Sequence, residues 1–225
     1  QSEGEHAFSG GFAECILLQP GTAIYSLPDS VTDAEAVPLN CALSTVLGGL
    51  KTIGVHSGEC AVIQGAGMLG IYAACYLCES GYKVVAIVDR RSERLRIARQ
   101  YGATHIFDLS VMSAIEIGQA VNNLTDGRGV DLAVEVSGAS VALSNSIDWL
   151  GIGGRCLTLG FVHPNASVTI DAHKIVTKCL TIFGIHNYHP SVLGDAIRFI
   201  EEKREQYPFG ALIGATYPLA KVDAA

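Results

Sequence analysis

The chain has 225 residues, 49% of them hydrophobic and 16% charged, a composition that excludes disordered and fibrous classes and leaves enough apolar mass for a sizeable core. Asp and Glu number 22 against 15 Lys and Arg, for a formal net charge of -7 without a long run of like charge, so no partner of nucleic acid is expected. The most apolar window, 61–78, carries Gly65, Gly67 and Gly70 and is flanked by Glu59 and Glu79, so no membrane partner is expected either.

The first 58 residues differ in pattern from the rest. Short strands are predicted at 10–18 and 23–25 around a turn at Pro20-Gly21, followed by helices at 30–36 and 39–53. A strand pair this short cannot make an independent core, so residues 1–40 are read as the tail of another domain or as a lead-in that packs on the next one. From Glu59 onward, apolar strands at 60–63, 84–88, 105–107, 132–136, 156–159 and 180–183 alternate with helical patterns at 69–80, 92–101, 111–123, 140–150 and 191–202. Strands alternating with such helices imply βαβ units, and nearly continuous apolar runs imply burial on both faces. The expected fold is therefore α/β, a doubly wound six-stranded parallel sheet (the Rossmann arrangement) over residues 41–205, with 206–225 returning toward the other domain. Gly81, Gly102 and Gly151 come directly after helical patterns, where a left-handed residue closes a helix.

Seven cysteines, with no basic-then-apolar leader opening the chain, read as reduced thiols, and the cytoplasm is the expected location. Cys75 and Cys78 lie three apart in an apolar helical stretch and are read as packing. Arg90, Arg91, Arg94 and Arg96 form the one basic concentration, read as a solvated helix face balanced by Asp89 and Glu93.

The string Gly65-Ala66-Gly67-Met68-Leu69-Gly70 comes after the first buried strand and opens a helix, and the next strand ends in Asp89. That context turns a weak glycine pattern into a dinucleotide fingerprint. Gly65 permits a tight turn, Gly67 lets the backbone approach a pyrophosphate, and Gly70 lets the helix lie close on the sheet. The helix start offers unpaired N–H groups and partial positive charge to phosphates. Asp89 can accept both ribose hydroxyls and would repel a 2'-phosphate, which favours NAD over NADP, although Arg90 and Arg91 could accommodate that phosphate. Arg90 could instead lie against the adenine face.

With the fingerprint placed, the chain resembles the medium-chain dehydrogenase/reductase family, its zinc-type alcohol dehydrogenase branch in particular. The resemblance rests on Gly-Gly-Phe-Ala-Glu at 10–14, Leu27-Pro28-Asp29, Cys41, DLAVEVSG at 131–138, GGRCLTLG at 153–160 and LTIFG at 180–184. It implies that Cys41 supplies one catalytic zinc ligand, that Thr45 packs near the nicotinamide with a catalytic role, and that Leu69 lies behind the ring. It further implies Arg94 beside the adenosine ribose, Val136 in the adenine pocket, and Gly160, Phe161 and Ile185 in loops passing the nicotinamide. The remaining zinc ligands belong, in that family, to an N-terminal domain that this sequence lacks, and His6, His56, His163, His173, His186 and His189 are not spaced to replace them. His186-Asn187-Tyr188-His189-Pro190 is similar to a branch associated with phosphonate catabolism.

The expected parent activity is hydride transfer between NAD and a small alcohol or carbonyl substrate, with zinc polarising the oxygen and the isolated chain inactive. A non-catalytic NAD-binding module is the alternative, and a methyltransferase, with its antiparallel closing strand, is a third reading. The strand at 180–183 is either an uncovered edge through which a homodimer forms or an internal strand capped by the C-terminal segment.

Overall fold

The computed structural model describes residues 11–164 and 166–224. Gly10, where the first strand is predicted to begin, and His6 lie outside them. Helices α1 (Asp33–Ala36) and α2 (Ser44–Ile53), joined by a π-helical turn at Leu39–Leu43, lead into the alternating part. Next come β1 (Cys60–Gln64), α3 (Met68–Glu79), β2 (Val84–Asp89), α4 (Ser92–Gln100), β3 (His105–Asp108), α5 (Ala114–Leu124) and β4 (Val130–Glu135). The chain continues through α6 (Ser140–Trp149), β5 (Leu150–Thr158), α7 (Ala172–Thr177), β6 (Thr181–Gly184) and α8 (Ser191–Lys203).

The six strands form one sheet in the order β3-β2-β1-β4-β5-β6, and every pairing is parallel. This is the doubly wound arrangement predicted from the sequence. A parallel pair cannot close through a tight hairpin, so each connection carries a helix across one face or the other. One face is covered by α2, α3, α4 and α8 and the other by α5 and α6. β1 is buried at all five positions, which explains its apolar run from Cys60 to Ile63. Among the described residues no antiparallel strand closes the sheet, which removes the structural requirement of the methyltransferase reading. Among the described residues β6 pairs with β5 alone and so stands at an edge, not inside the sheet.

Three expectations need correction. The described part of the predicted strand pair, 11–18 and 23–25, contains no strand, and its apolar side chains Phe12, Leu17 and Ile24 are exposed. Nothing in the described structure pairs with this backbone, and unpaired segments do not make a sheet. Gly151 does not close α6: it lies within β5, and its φ is not positive. It passes so near the preceding loop that a Cβ there would stand 2.4 Å from the Arg128 carbonyl oxygen. Gly81 and Gly102 do adopt φ of +81° and +92° after α3 and α4. Finally, α7 has no counterpart in the predicted elements; none of its residues is buried, so it leaves no apolar stripe to read.

The run Asp33–Ile53 is long and apolar enough to cross a membrane by length and composition, yet much of it packs on the sheet here, with Leu43, Val46 and Leu50 fully buried. After α8 the chain returns over α3 and α4. Phe209 is fully buried and packs with Tyr72, Tyr101, Phe199 and Tyr207, ring centroids 5.8–6.4 Å away. Beside it, Glu79 at the end of α3 pairs with Lys203 and accepts from Tyr207 Oη at 2.6 Å and Gln206 Nε2 at 2.9 Å.

Burial alone would raise the Glu79 carboxyl, but the hydrogen bonds from Lys203 and Tyr207 outweigh it and hold it below the ordinary 4.5. A carboxyl lowered in the folded state stabilises fully above its unfolded value and loses that contribution as pH falls through the folded one. Glu79→Gln is therefore expected to cost about 1 kcal/mol at pH 7. The gap to the unsubstituted chain should narrow below about pH 4, as read by urea unfolding across that range. A gap independent of pH would show that the charge is not the stabilising element.

Candidate functional site

The register sets Gln64 beside Val88 on one side and Glu135 on the other, with Glu135 beside Thr158. The carboxyl ends of β1, β2, β4 and β5 thus finish in one row, and the connections diverge to opposite faces between β1 and β4. Open α/β sheets have their crevice at such a point.

At that point β1 runs into the glycine string. Gly65 has φ +112°, a conformation that side chains rarely adopt, and a Cβ there would press on Ser137 and Val136 at 3.2 Å. Gly67 stands before the first turn of α3 without a side-chain cap, so the helix's first N–H groups are left for a ligand. A Cβ on Gly67 would meet only Arg94 Nη1, at 3.9 Å, so the space above it is open. Gly70 differs: a Cβ there would lie 1.8 Å from the Gly65 carbonyl oxygen, so its role is contact between α3 and the loop.

Asp89 ends β2 facing this loop. One carboxylate oxygen accepts from the Ala66 N–H at 2.7 Å and the other from the Arg91 N–H at 2.9 Å. Asp89 lines a cavity of about 600 Å³. Gly65, Gly67, Asp89, Arg90, Arg94 and Val136, all predicted from the sequence, line it together. Arg91 lines it too, and none of these three arginines forms an ion pair among the described residues. The basic cluster is therefore the rim of a cleft as well as a solvated face. A recess of about 790 Å³ between α5 and α6 meets the cleft at Ala114 and Asn145, but it holds neither the glycines nor Asp89.

The opposite wall is held from beneath. Glu135 is fully buried at the end of β4, and its Oε1 accepts from Ser137 N at 2.8 Å, Ser137 Oγ at 2.7 Å and Gly138 N at 2.8 Å. These bonds fold the loop that presents Val136. Gly160 must be glycine because a Cβ would stand 2.3 Å from Gly138 N and 2.7 Å from Glu135 Oε2. The Cys156 thiol nearby is pushed up to about 12 by burial first and the Glu135 charge second, so it is a packed thiol and no nucleophile.

The other predicted site residues lie elsewhere. Phe161 and Ile185 line a separate recess of about 390 Å³ beyond the ends of β5 and β6. Met68 and Leu69 are half-buried in the first turn of α3, and Thr45 is half-buried in α2. Cys41 is exposed on the π-helical turn. None of these four lines the main cavity. Sequence reasoning missed Gln64, Met112, Ser113, Ser137 and Asn145 in the cavity wall. A signal existed for Gln64: a buried amide ending an apolar strand, here donating to the Ala142 carbonyl at 2.6 Å and Ser146 Oγ at 3.0 Å.

Residues 68–202 match the profile of a family described as zinc-binding dehydrogenases. The chain belongs to the zinc-binding dehydrogenase family. It is 30% identical over 217 residues to 5-exo-hydroxycamphor dehydrogenase of Pseudomonas putida, covering 96% of this chain and 60% of that protein. It is 32% identical over 181 residues to L-threonine 3-dehydrogenase of Colwellia psychrerythraea, covering 79% and 50%. Among solved structures, an alcohol dehydrogenase from Thermotoga maritima superposes with a TM-score of 0.80 at 24% identity, over 87% of this chain and 55% of that one. A zinc-binding-domain alcohol dehydrogenase protein from Burkholderia ambifaria gives 0.78 at 26%, over 88% and 53%. The chain thus spans 50 to 60% of the length of these two curated relatives and matches the family's cofactor-binding domain.

The family description implies a metal. Catalytic zinc takes three protein ligands, and among the described residues no group of three His, Cys, Asp or Glu side chains could hold an ion. The donor set among the described residues does not fit zinc by itself.

Proposed function

We propose that this chain binds NAD in the cavity between Asp89, the glycine string and Val136, as the nucleotide-binding half of an oxidoreductase acting on a small alcohol or carbonyl substrate. The observation that carries this reading is the Asp89 carboxylate, fixed by the Ala66 and Arg91 N–H groups beside an open Gly67. The diphosphate would lie over Gly67 and the first turn of α3, the adenosine ribose against Asp89 and Arg94, and the adenine against Val136. Bound NAD supplies the hydride-accepting ring, and the protein's part is binding and orientation. Thr45, Leu69, Gly160, Phe161 and Ile185 are read as the nicotinamide end. Cys41 is read as one zinc ligand of a longer protein.

Titration calorimetry with NADH and NADPH tests the reading. NADH is expected to bind at least about tenfold more tightly, because in the proposed pose the Asp89 carboxylate would meet and repel a 2'-phosphate. Equal affinity would shift the assignment toward the three rim arginines and NADP, and no binding of either would remove it. The 225-residue chain is expected to bind cofactor without turning over alcohols. Zinc-dependent turnover by the chain alone would overturn that expectation. The edge position of β6 supports pairing with a second copy of the chain through its unpaired side.

A further inference from the structure

The string His186-Asn187-Tyr188-His189-Pro190 has no place in the main cavity, which none of its residues lines. Asn187 has φ +66°, a left-handed conformation that Asn tolerates better than most residues. The turn carries Tyr188 back onto α2, where a Cβ on Gly48 would come within 3.0 Å of Tyr188 Cβ. Ile185 makes the neighbouring contact, 3.2 Å from a Cβ built on Gly49. The Gly48-Gly49 pair is thus a flat seat for the loop 185–190. From that seat the Tyr188 hydroxyl donates to Asn40, reaching both its backbone carbonyl and its side-chain oxygen, the latter at 2.7 Å.

Asn40 lies in the π-helical turn Leu39–Leu43, directly before Cys41 and five residues before Thr45. A π turn inserts one residue and rotates the helix beyond it, and such turns concentrate at functional sites. The hydroxyl bond grips that turn from outside.

We propose that Tyr188 is a positioning residue: by holding Asn40 it sets the turn bearing Cys41 and Thr45 against the loop 185–190, and so orders the nicotinamide end of the bound dinucleotide without touching the adenosine end. The inference rests on the proposed NAD site. The adenosine end has its own wall of Asp89, Arg90, Arg94 and Val136, which shares no residue with this clasp.

The test compares NADH with ADP-ribose, which lacks the nicotinamide, on the purified chain and on Tyr188→Phe, which keeps the Cβ contact with Gly48 and loses only the hydroxyl. NADH binding should weaken about fivefold, the effect of one lost hydrogen bond, and ADP-ribose binding should change less than about twofold. In parallel, alkylation of Cys41 by iodoacetamide, resolved from that of the exposed Cys15 and Cys179 by mass spectrometry, should speed up several-fold. Asn40→Ala removes only the side-chain acceptor and should give a smaller effect that is not additive with Tyr188→Phe. Equal weakening of both ligands, additive variants, or an unchanged Cys41 rate would overturn the proposal. If the unsubstituted chain bound neither ligand, the NAD reading would fail, and the clasp would stand or fall on the alkylation rates alone.

Discussion

Gly70→Ala is expected to destroy dinucleotide binding and to lower the unfolding free energy by about 3 kcal/mol, the upper end of the usual cost of overpacking. The added methyl would stand 1.8 Å from the Gly65 carbonyl oxygen and 2.9 Å from its carbon. Neither atom belongs to a flexible side chain, so the helix must retreat from the loop. α3 cannot retreat cheaply, because Ile71, Tyr72, Ala73, Ala74, Cys75 and Leu77 are all buried behind it. Urea unfolding should show a lower midpoint at unchanged slope. Gly67→Ala supplies the contrast. Its methyl meets nothing closer than Arg94 Nη1 at 3.9 Å, and its φ of -77° suits alanine, so stability should move by less than about 0.5 kcal/mol. Cofactor binding should nevertheless fall by more than about tenfold, since the methyl takes the space that a pyrophosphate needs. Parallel losses of stability and binding at Gly67 would mean that the open space there is not a ligand's place.

Asp89→Ala is expected to weaken NADH binding by about a hundredfold and to leave NADPH much less affected, shrinking the preference between them. Hydrogen bonds to a charged group contribute about 1.5–3 kcal/mol, and the substitution removes the ribose acceptor together with the tether to Ala66 N. Arg90, Arg91 and Arg94 remain at the rim, and without the neighbouring negative charge their attraction for phosphate is unopposed. Asp89→Asn, which keeps one acceptor and no charge, should fall between. An NADH affinity that survives Asp89→Ala would place the ribose elsewhere.

The sheet was legible in the sequence because parallel strands covered on both faces leave nearly continuous apolar runs, as at 60–63 and 84–88. The glycine string and Asp89 were legible because their spacing reflects one local geometry. The features that stayed hidden depend on distant packing. Met112, Ser113 and Asn145 reach the cavity from α5, its approach and α6, and no local pattern marks them. The 11–28 segment has the residue types of strands, yet strand propensity expresses itself only where a partner accepts the backbone. Gly151 carries the usual sign of a helix end, but its glycine is required by the Arg128 carbonyl passing on the neighbouring connection, a contact that no local rule can register.

The burial of Phe209 has a consequence for synthesis. It is the last fully buried large side chain among the described residues, and it packs against Tyr72 and Tyr101, which leave the ribosome well before it. Until it emerges, the nascent sheet has its strands but an unclosed aromatic face. Closure of the domain therefore waits for a segment that follows all six strands, and a ribosome stalled before Tyr207 emerges would hold a chain with that face uncovered.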